Sequence, residues 1–318
     1  MVGKEIVTVN SISKKYGKLY AVKNLSFSIR ENTIFGLLGS NGAGKSTTLH
    51  MLMGLLSIEE GDLFIFGEKV KKKYSNSLKK KVAIVPQEIS LYKDLTIYDN
   101  LYFFGRAYGF SRILVREKIK ESQELFGLGD LKRPVKHLSG GYQRRVSFAV
   151  ALIGNPDLII LDEALVGIDI ETKKLIVDLL LKLKKSKTII ITTHSIDDAE
   201  KLCDEVLLLH QGEKKLCGKT KDLIRAYSSS EKRSLNIIFS NELGMKKFVE
   251  DLKPHISHEI IVNDLVVSVK FKEKISFNSK PNDFFNILGL ANSYRNDIID
   301  IEIKKSGLEE LMMDAIRK

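Results

Sequence analysis

The sequence predicts an α/β fold, with a phosphate-binding loop set among buried parallel strands, followed by a small α+β unit of ferredoxin-like order. Three observations predict it. A glycine-rich run, Gly39 to Thr47, follows a short apolar segment, TIFGLLG, and precedes a helical one, TTLHMLMGLL. A second apolar segment, Leu158 to Leu161, runs into two adjacent acids, Asp162 and Glu163. After a polar stretch at residues 228–233, the tail alternates strand-like and helix-like segments in the order β-α-β-β-α-β, with a last helix behind them.

Each element has a physical reason. In Gly39-Ser40-Asn41-Gly42-Ala43-Gly44-Lys45-Ser46-Thr47 the glycines let the backbone take positive φ and approach an anion closely. Successive amide N–H groups then converge on phosphate, and the following helix adds its positive end. Lys45 is placed to reach the β and γ phosphates, and Ser46 to ligate Mg²⁺. A buried parallel strand is apolar on both faces, as LIIL is, and ligands of open α/β sheets bind at the carboxyl edge. Asp162 falls at that edge, where it would hold Mg²⁺ through water. Glu163, one residue on and pointing elsewhere, would polarise an attacking water.

At Leu138-Ser139-Gly140-Gly141-Tyr142-Gln143 the chain resembles the signature of the ATP-binding-cassette (ABC) proteins, at the start of an apolar-faced helix, VSFAVALIG. Ser139 and the amides of Gly140 and Gly141 would present a second phosphate-binding helix end. The resemblance covers about residues 4–227, and its other motifs follow in family order. It implies a P-loop cassette with a RecA-like core, an antiparallel β subdomain and a helical subdomain, using ATP and Mg²⁺. It also implies a head-to-tail dimer, homodimer or heterodimer, in which Ser139, Gly140 and Gly141 meet the γ phosphate held by the opposite subunit. On the same resemblance Tyr16 stacks on adenine, Gln87 contacts Mg²⁺ or the lytic water, His194 touches the γ phosphate, and Asp169 lies at the dimer seam. Glu163, His194 and Gln87 form the catalytic set, and Ser46, Gln87 and Asp162 the metal set. Just before Asp169 the chain departs from the family, with Ala164 and Leu165 where relatives carry Pro and Thr. Losing a fixed φ and a hydroxyl predicts a looser loop and slower or uncoupled hydrolysis.

The expected boundaries are a nucleotide-binding domain at 1–227, a linker at 228–233 and an accessory domain at 234–318. Between Gln87 and Leu138, IYDNLYFFGRAYG and ILVREKIKESQELFGL fill the helical subdomain, with aromatic content suited to a groove for a coupling helix of a membrane protein. In the tail, IIVN and LVVSVKFK flank Asn263-Asp264, which reads as a hairpin turn. The tail resembles the extension of type-2 exporter ATPases, through its LEELM-like last helix. A dimer-stabilising or regulatory role is expected of it.

Composition bounds the function class. With 318 residues, 43% hydrophobic and 29% charged, the chain buries a sizeable core. Its first residues lack the apolar stretch of a secretion signal and no window has the length of a membrane span, so a cytoplasmic subunit is expected. It would meet the inner face of the membrane through a separate transmembrane permease. Cys203 and Cys217 are too few and too far apart for a disulfide framework or zinc site. The net charge of +11 lies wholly before Ser228, since 14 basic and 14 acidic residues balance after it. Its lysine runs lack the interleaved aromatics of single-strand binders, so no nucleic acid is expected. They read as a solvated face, or as attraction to an anionic membrane or a phosphate-rich ligand. The alternative class, a soluble ABC ATPase acting on ribosomes or DNA, usually carries two cassettes or long coiled coils. This chain has one cassette and no sustained heptad run.

Overall fold

A two-residue turn at Gly17 and Lys18, with Gly17 at φ 62°, folds β1 (Glu5–Tyr16) and β2 (Leu19–Arg30) into an antiparallel hairpin. The computed structural model describes residues 3–70, 72–230, 234–256, 258–271, 283–304 and 308–317. They fall into two units, residues 1–220 and 221–318. Among the described residues the first unit carries a four-stranded and a six-stranded sheet.

The hairpin belongs to the smaller, antiparallel sheet, ordered β2-β1-β4-β5. In chain order, β3 (Ile34–Leu38) leads through the glycine-rich loop into α1 (Lys45–Leu52), and β4 (Glu60–Ile65) and β5 (Glu68–Lys69) return to that sheet. Helix α2 (Asn76–Lys81) then feeds β6 (Val82–Val85). Helices α3 (Ile97–Ala107) and α4 (Arg112–Leu125) form the helical segment. Thr96 and Asp99 close a capping box on α3, and Gly105 lets Val115 approach, since a Cβ there would stand 3.1 Å from it. The signature residues open α5 (Gly140–Leu152), which returns the chain to β7 (Leu158–Asp162). Then α6 (Ile170–Leu183), β8 (Thr188–Thr193), α7 (Ile196–Leu202), β9 (Glu205–His210) and β10 (Glu213–Lys219) complete the unit.

The larger sheet is ordered β10-β9-β3-β8-β7-β6, parallel throughout except for the edge strand β10. Every residue of β3 and β8 is buried, which is why these runs carry no polar alternation. The antiparallel sheet packs on one face of it, with Phe27 stacked on Phe35 at 5.4 Å between ring centres, inside a core that includes Leu25, Leu49, Ile160 and Leu207. Parallel strands put their carboxyl ends on one edge. The loops after β3, β6, β7 and β8 therefore emerge together, carrying Gly39 to Gly44, Gln87, Glu163 and His194.

The second unit begins in α8 (Thr220–Ser230), so the division falls before this helix rather than after it. Ser228, Ser229 and Ser230, expected in a linker, continue α8. Serine's weak helix preference yields to tertiary contact, as Tyr227 one residue earlier donates to Asp314 at 2.6 Å. Glu231, Lys232 and Arg233 lie outside the described residues, as does Lys71 of the lysine runs. Strand β11 (Ser234–Phe239), α9 (Glu242–Leu252), β12 (Glu259–Asn263), β13 (Val266–Lys270), α10 (Asp283–Ser293), β14 (Ile298–Lys304) and α11 (Leu308–Arg317) follow. Their antiparallel sheet is ordered β12-β13-β11-β14, the ferredoxin-like arrangement. The hairpin turn sits one residue later than expected. Asn263 still pairs with Val266, Asp264 takes the positive φ of 49°, and Leu265 turns toward the core of Phe239, Phe248 and Val267.

Candidate active site

The loop after β3 holds glycine where no other residue fits. A Cβ on Gly39, at φ 151°, would stand 2.5 Å from the carbonyl oxygen of Leu209, and one on Gly44, at φ 101°, would run into that of Ala21. The amide of Ala43 donates to Ser40 and its carbonyl accepts from Gly212, which pins the loop to the turn after β9. Lys45 is only 6% exposed, and its Nζ donates to the carbonyls of Gly39 at 2.8 Å and Ser40 at 3.1 Å. Burial pulls its pKa below the ordinary lysine value, and the carboxylates of Glu163 and Asp162 partly restore it. Ser40, Asn41, Gly42 and Ser46 are exposed around this cation, while Thr47 is half-buried.

Glu163 gathers two other residues of the site. Gln87 Nε2 faces its Oε2 at 3.4 Å, and His194 Nδ1 lies 3.7 Å from its Oε1. The carboxylate side chain is 17% exposed and the imidazole 52%. Glu163 itself holds a φ of 43°, unfavourable for a residue with a Cβ. Thr192, buried in β8, compensates. It accepts from the Glu163 amide at 2.9 Å, and its Oγ1 lies 2.9 Å from Asp162 Oδ1. One hydroxyl thus fixes both acids. Sequence reasoning missed Thr192, although a hydroxyl inside the buried run TIIITT is the kind of polar group that must find a partner.

The signature helix end stands apart. Ser139 caps α5 by accepting from the Tyr142 amide at 3.3 Å; Ser139 and Gly140 are exposed, and a Cβ on Gly140 would meet nothing within 4 Å. Gly141 is hemmed in, because a Cβ there would strike the Asp169 carboxylate and come within 2.9 Å of Thr172 Oγ1. Asp169 caps α6 through the Thr172 amide at 2.8 Å, and the Thr172 bonds hold its carboxyl below the usual range. Tyr16, at the end of β1, is 55% exposed. Among the described residues no hydrogen bond or ion pair joins Tyr16, Ser139 or Asp169 to Lys45, Gln87, Glu163 or His194.

The loop at Ala164 and Leu165 is not left open by their departure from the family pattern. The Val166 amide donates to the Glu163 carbonyl at 3.1 Å, and both side chains are buried, so apolar packing takes the place of a fixed φ and a hydroxyl. A second residue that sequence reasoning missed lies in α5. Arg144 Nη1 donates to the Pro86 carbonyl at 2.8 Å and Nη2 to that of Gln87 at 2.5 Å. Its spacing of three and four residues before the buried Ser147 and Phe148 was the available signal.

Among the described residues no helix is long and apolar enough to cross a membrane. The family profile described as ABC transporter matches residues 22–166. The chain is 32% identical to the linearmycin resistance ATP-binding protein LnrL of Bacillus subtilis (strain 168), over 97% of both chains. It is 39% identical to the Nod factor export ATP-binding protein I of Ralstonia nicotianae, over 69% of this chain and 68% of that one. Among solved structures it resembles the dimeric cassette MJ0796 bound to ADP and Pi, with TM-score 0.61 and 29% identity over 67% of this chain and 98% of that one. It also resembles the ADP conformation of the cassette MJ1267, with TM-score 0.62 and 25% identity over 69% of this chain and 92% of that one. With its phosphate loop, its acid pair and a full-length relative of this kind, the chain belongs to the ABC transporter ATP-binding proteins and is an ATPase.

Proposed function

We propose that the chain energises an exporter, closing around two ATP as a head-to-tail dimer, with a second copy or a related subunit, against a separate transmembrane permease. The observation that carries the reading is the separation of the site residues into two groups. Lys45, Gln87, Glu163 and His194 converge on one sheet edge, whereas the exposed end of α5 at Ser139 and Gly140 bonds to none of them. Those donors are left for a phosphate held by another chain. The dimeric form of the MJ0796 cassette supports the assembly, and relatives named for Nod factor export and linearmycin resistance support the direction. The permease would hold the dimer at the inner face of the membrane, with the aromatic α3, where Tyr92 packs edge-on against Phe103, as its docking face.

Within the site, Glu163 accepts the proton of the lytic water, His194 and Lys45 stabilise charge on the γ phosphate, and Gln87 orients the water or metal. Tyr16, half-exposed at its strand end, stacks on adenine. The Ser46 hydroxyl, the Gln87 amide oxygen and the Asp162 carboxylate are hard oxygen donors of the type Mg²⁺ takes. Among the described residues no cluster of three His, Cys, Asp or Glu side chains could hold a metal alone, which fits an ion shared with phosphates. Mg²⁺, when bound, would neutralise phosphate charge as it is transferred.

Glu163→Gln tests the reading. It should keep ATP binding, slow turnover by about 10²–10⁴-fold, and accumulate an ATP-dependent dimer on size-exclusion chromatography. Adding Ser139→Arg to that variant should leave each monomer binding ATP and abolish the dimer; an undiminished dimer refutes the shared site.

A further inference from the structure

We infer that Arg144 is a positioning residue that ties Gln87 to the signature helix, so that α5 and the Gln87 main chain move as one body. The inference rests on the role proposed above for Gln87. Pro86 and Gln87 follow the last residue of β6, where the strand ladder ends, and Pro86 brings no N–H. Their carbonyls need donors from elsewhere. The Arg144 guanidinium supplies both, at 2.8 Å and 2.5 Å, and a planar fork fixes the two oxygens together.

The setting makes these bonds costly to lose. Arg144 is 6% exposed, burial pulls its pKa below the ordinary arginine value, and among the described residues it has no ion-pair partner while its Nε has no hydrogen-bond partner. A buried cation answered by two carbonyl dipoles stays only where those dipoles are. Its own backbone lies in α5, about one and a half turns from the Ser139 cap. At the far end, the Gln87 side chain faces Glu163 at 3.4 Å. The connected groups run from Ser139 through α5 to Arg144, the Gln87 carbonyl, the Gln87 amide and Glu163. Among the described residues Arg144 makes no hydrogen bond to Gly39 through Thr47, so the path bypasses nucleotide binding. When a second chain's phosphate engages Ser139, the resulting position of α5 reaches Gln87, and through it Glu163, in the same chain.

The test uses the full chain with Arg144→Met, which removes the fork, and Arg144→Lys, which keeps the charge without it. In Arg144→Met, kcat should fall about tenfold while KM for ATP changes by less than about twofold. Arg144→Lys should recover part of the loss. Amide hydrogen exchange of residues 87–90 in ATP-free protein should quicken in the same order. In a Gln87→Ala background, Arg144→Met should add no further loss, because the side chain it positions is gone; a purely structural role would lower kcat there by the same factor and so overturn the inference. A wild-type kcat in Arg144→Met beside a slow Gln87→Ala also overturns it. A wild-type rate in Gln87→Ala removes the role of Gln87, and this inference with it. Should Arg144→Met not fold, Arg144→Lys carries the cycle, and a kcat loss that persists in the Gln87→Ala background overturns the proposal.

Discussion

Two helix ends in this chain would meet phosphate under the function proposed above, and they are built differently. The end of α1 is enclosed by its own chain: carbonyls of Leu209 and Ala21 crowd Gly39 and Gly44, Gly212 bonds to Ala43, and Lys45 is buried against Gly39 and Ser40. The end of α5 is open, with Ser139 and Gly140 exposed and only Gly141 braced from behind by Asp169. The first is pre-organised, so its donors need no reordering when a phosphate arrives. The second is presented outward, and among the described residues it bonds to none of Lys45, Gln87, Glu163 and His194. Affinity for nucleotide should therefore be a property of the α1 end, and assembly a property of the α5 end.

The largest break in that comparison is Gly44→Ala. A φ of 101° costs a residue with a Cβ about 1–3 kcal/mol, and here the new methyl also meets the rigid carbonyl of Ala21. ATP binding by isothermal titration should be lost, and the thermal midpoint should fall by several degrees, at about 2–4 °C per kcal/mol for a unit of this size. Lys45→Ala comes next. It removes a charge-assisted contact worth about 1.5–3 kcal/mol, and ATP affinity should fall about tenfold to a hundredfold. An unchanged affinity would mean that this loop is not the nucleotide cradle.

The same contrast governs what was legible in the sequence. The α1 end depends on glycines at fixed spacing after an apolar strand, and both are local, so the loop and its lysine could be read directly. The parallel strands were legible for the same reason, since burial on both faces leaves runs without charge or polar alternation. The partners of Thr192 and Arg144 were not legible, because they lie 29 and 58 residues away in Glu163 and Pro86, and nothing in the local sequence names them. The positive φ of Glu163 was hidden too: glutamate does not favour it, and only the bond from its amide to Thr192 shows how it is held. In the second unit the alternation of segments carried the strand order. The choice between Asn263 and Asp264 for the left-handed turn position did not follow, because both residue types tolerate it.

The smallest expected effect is the sharpest test of the difference between the two helix ends. Gly140 has no positive φ, and a Cβ there touches nothing within 4 Å, so Gly140→Ala adds a methyl to open space at the first residue of α5, where alanine suits a helix better than glycine. Within one chain the substitution should shift stability by less than about 0.5 kcal/mol and leave ATP affinity unchanged. In the closed dimer the same methyl would stand on the surface that another chain's phosphate must approach. ATP-dependent dimerisation of the Glu163→Gln protein should therefore weaken while its ATP titration and melting curve match those of the parent. A variant that loses ATP affinity as a monomer would show that the α5 end serves its own chain, and the division between the two helix ends would fall.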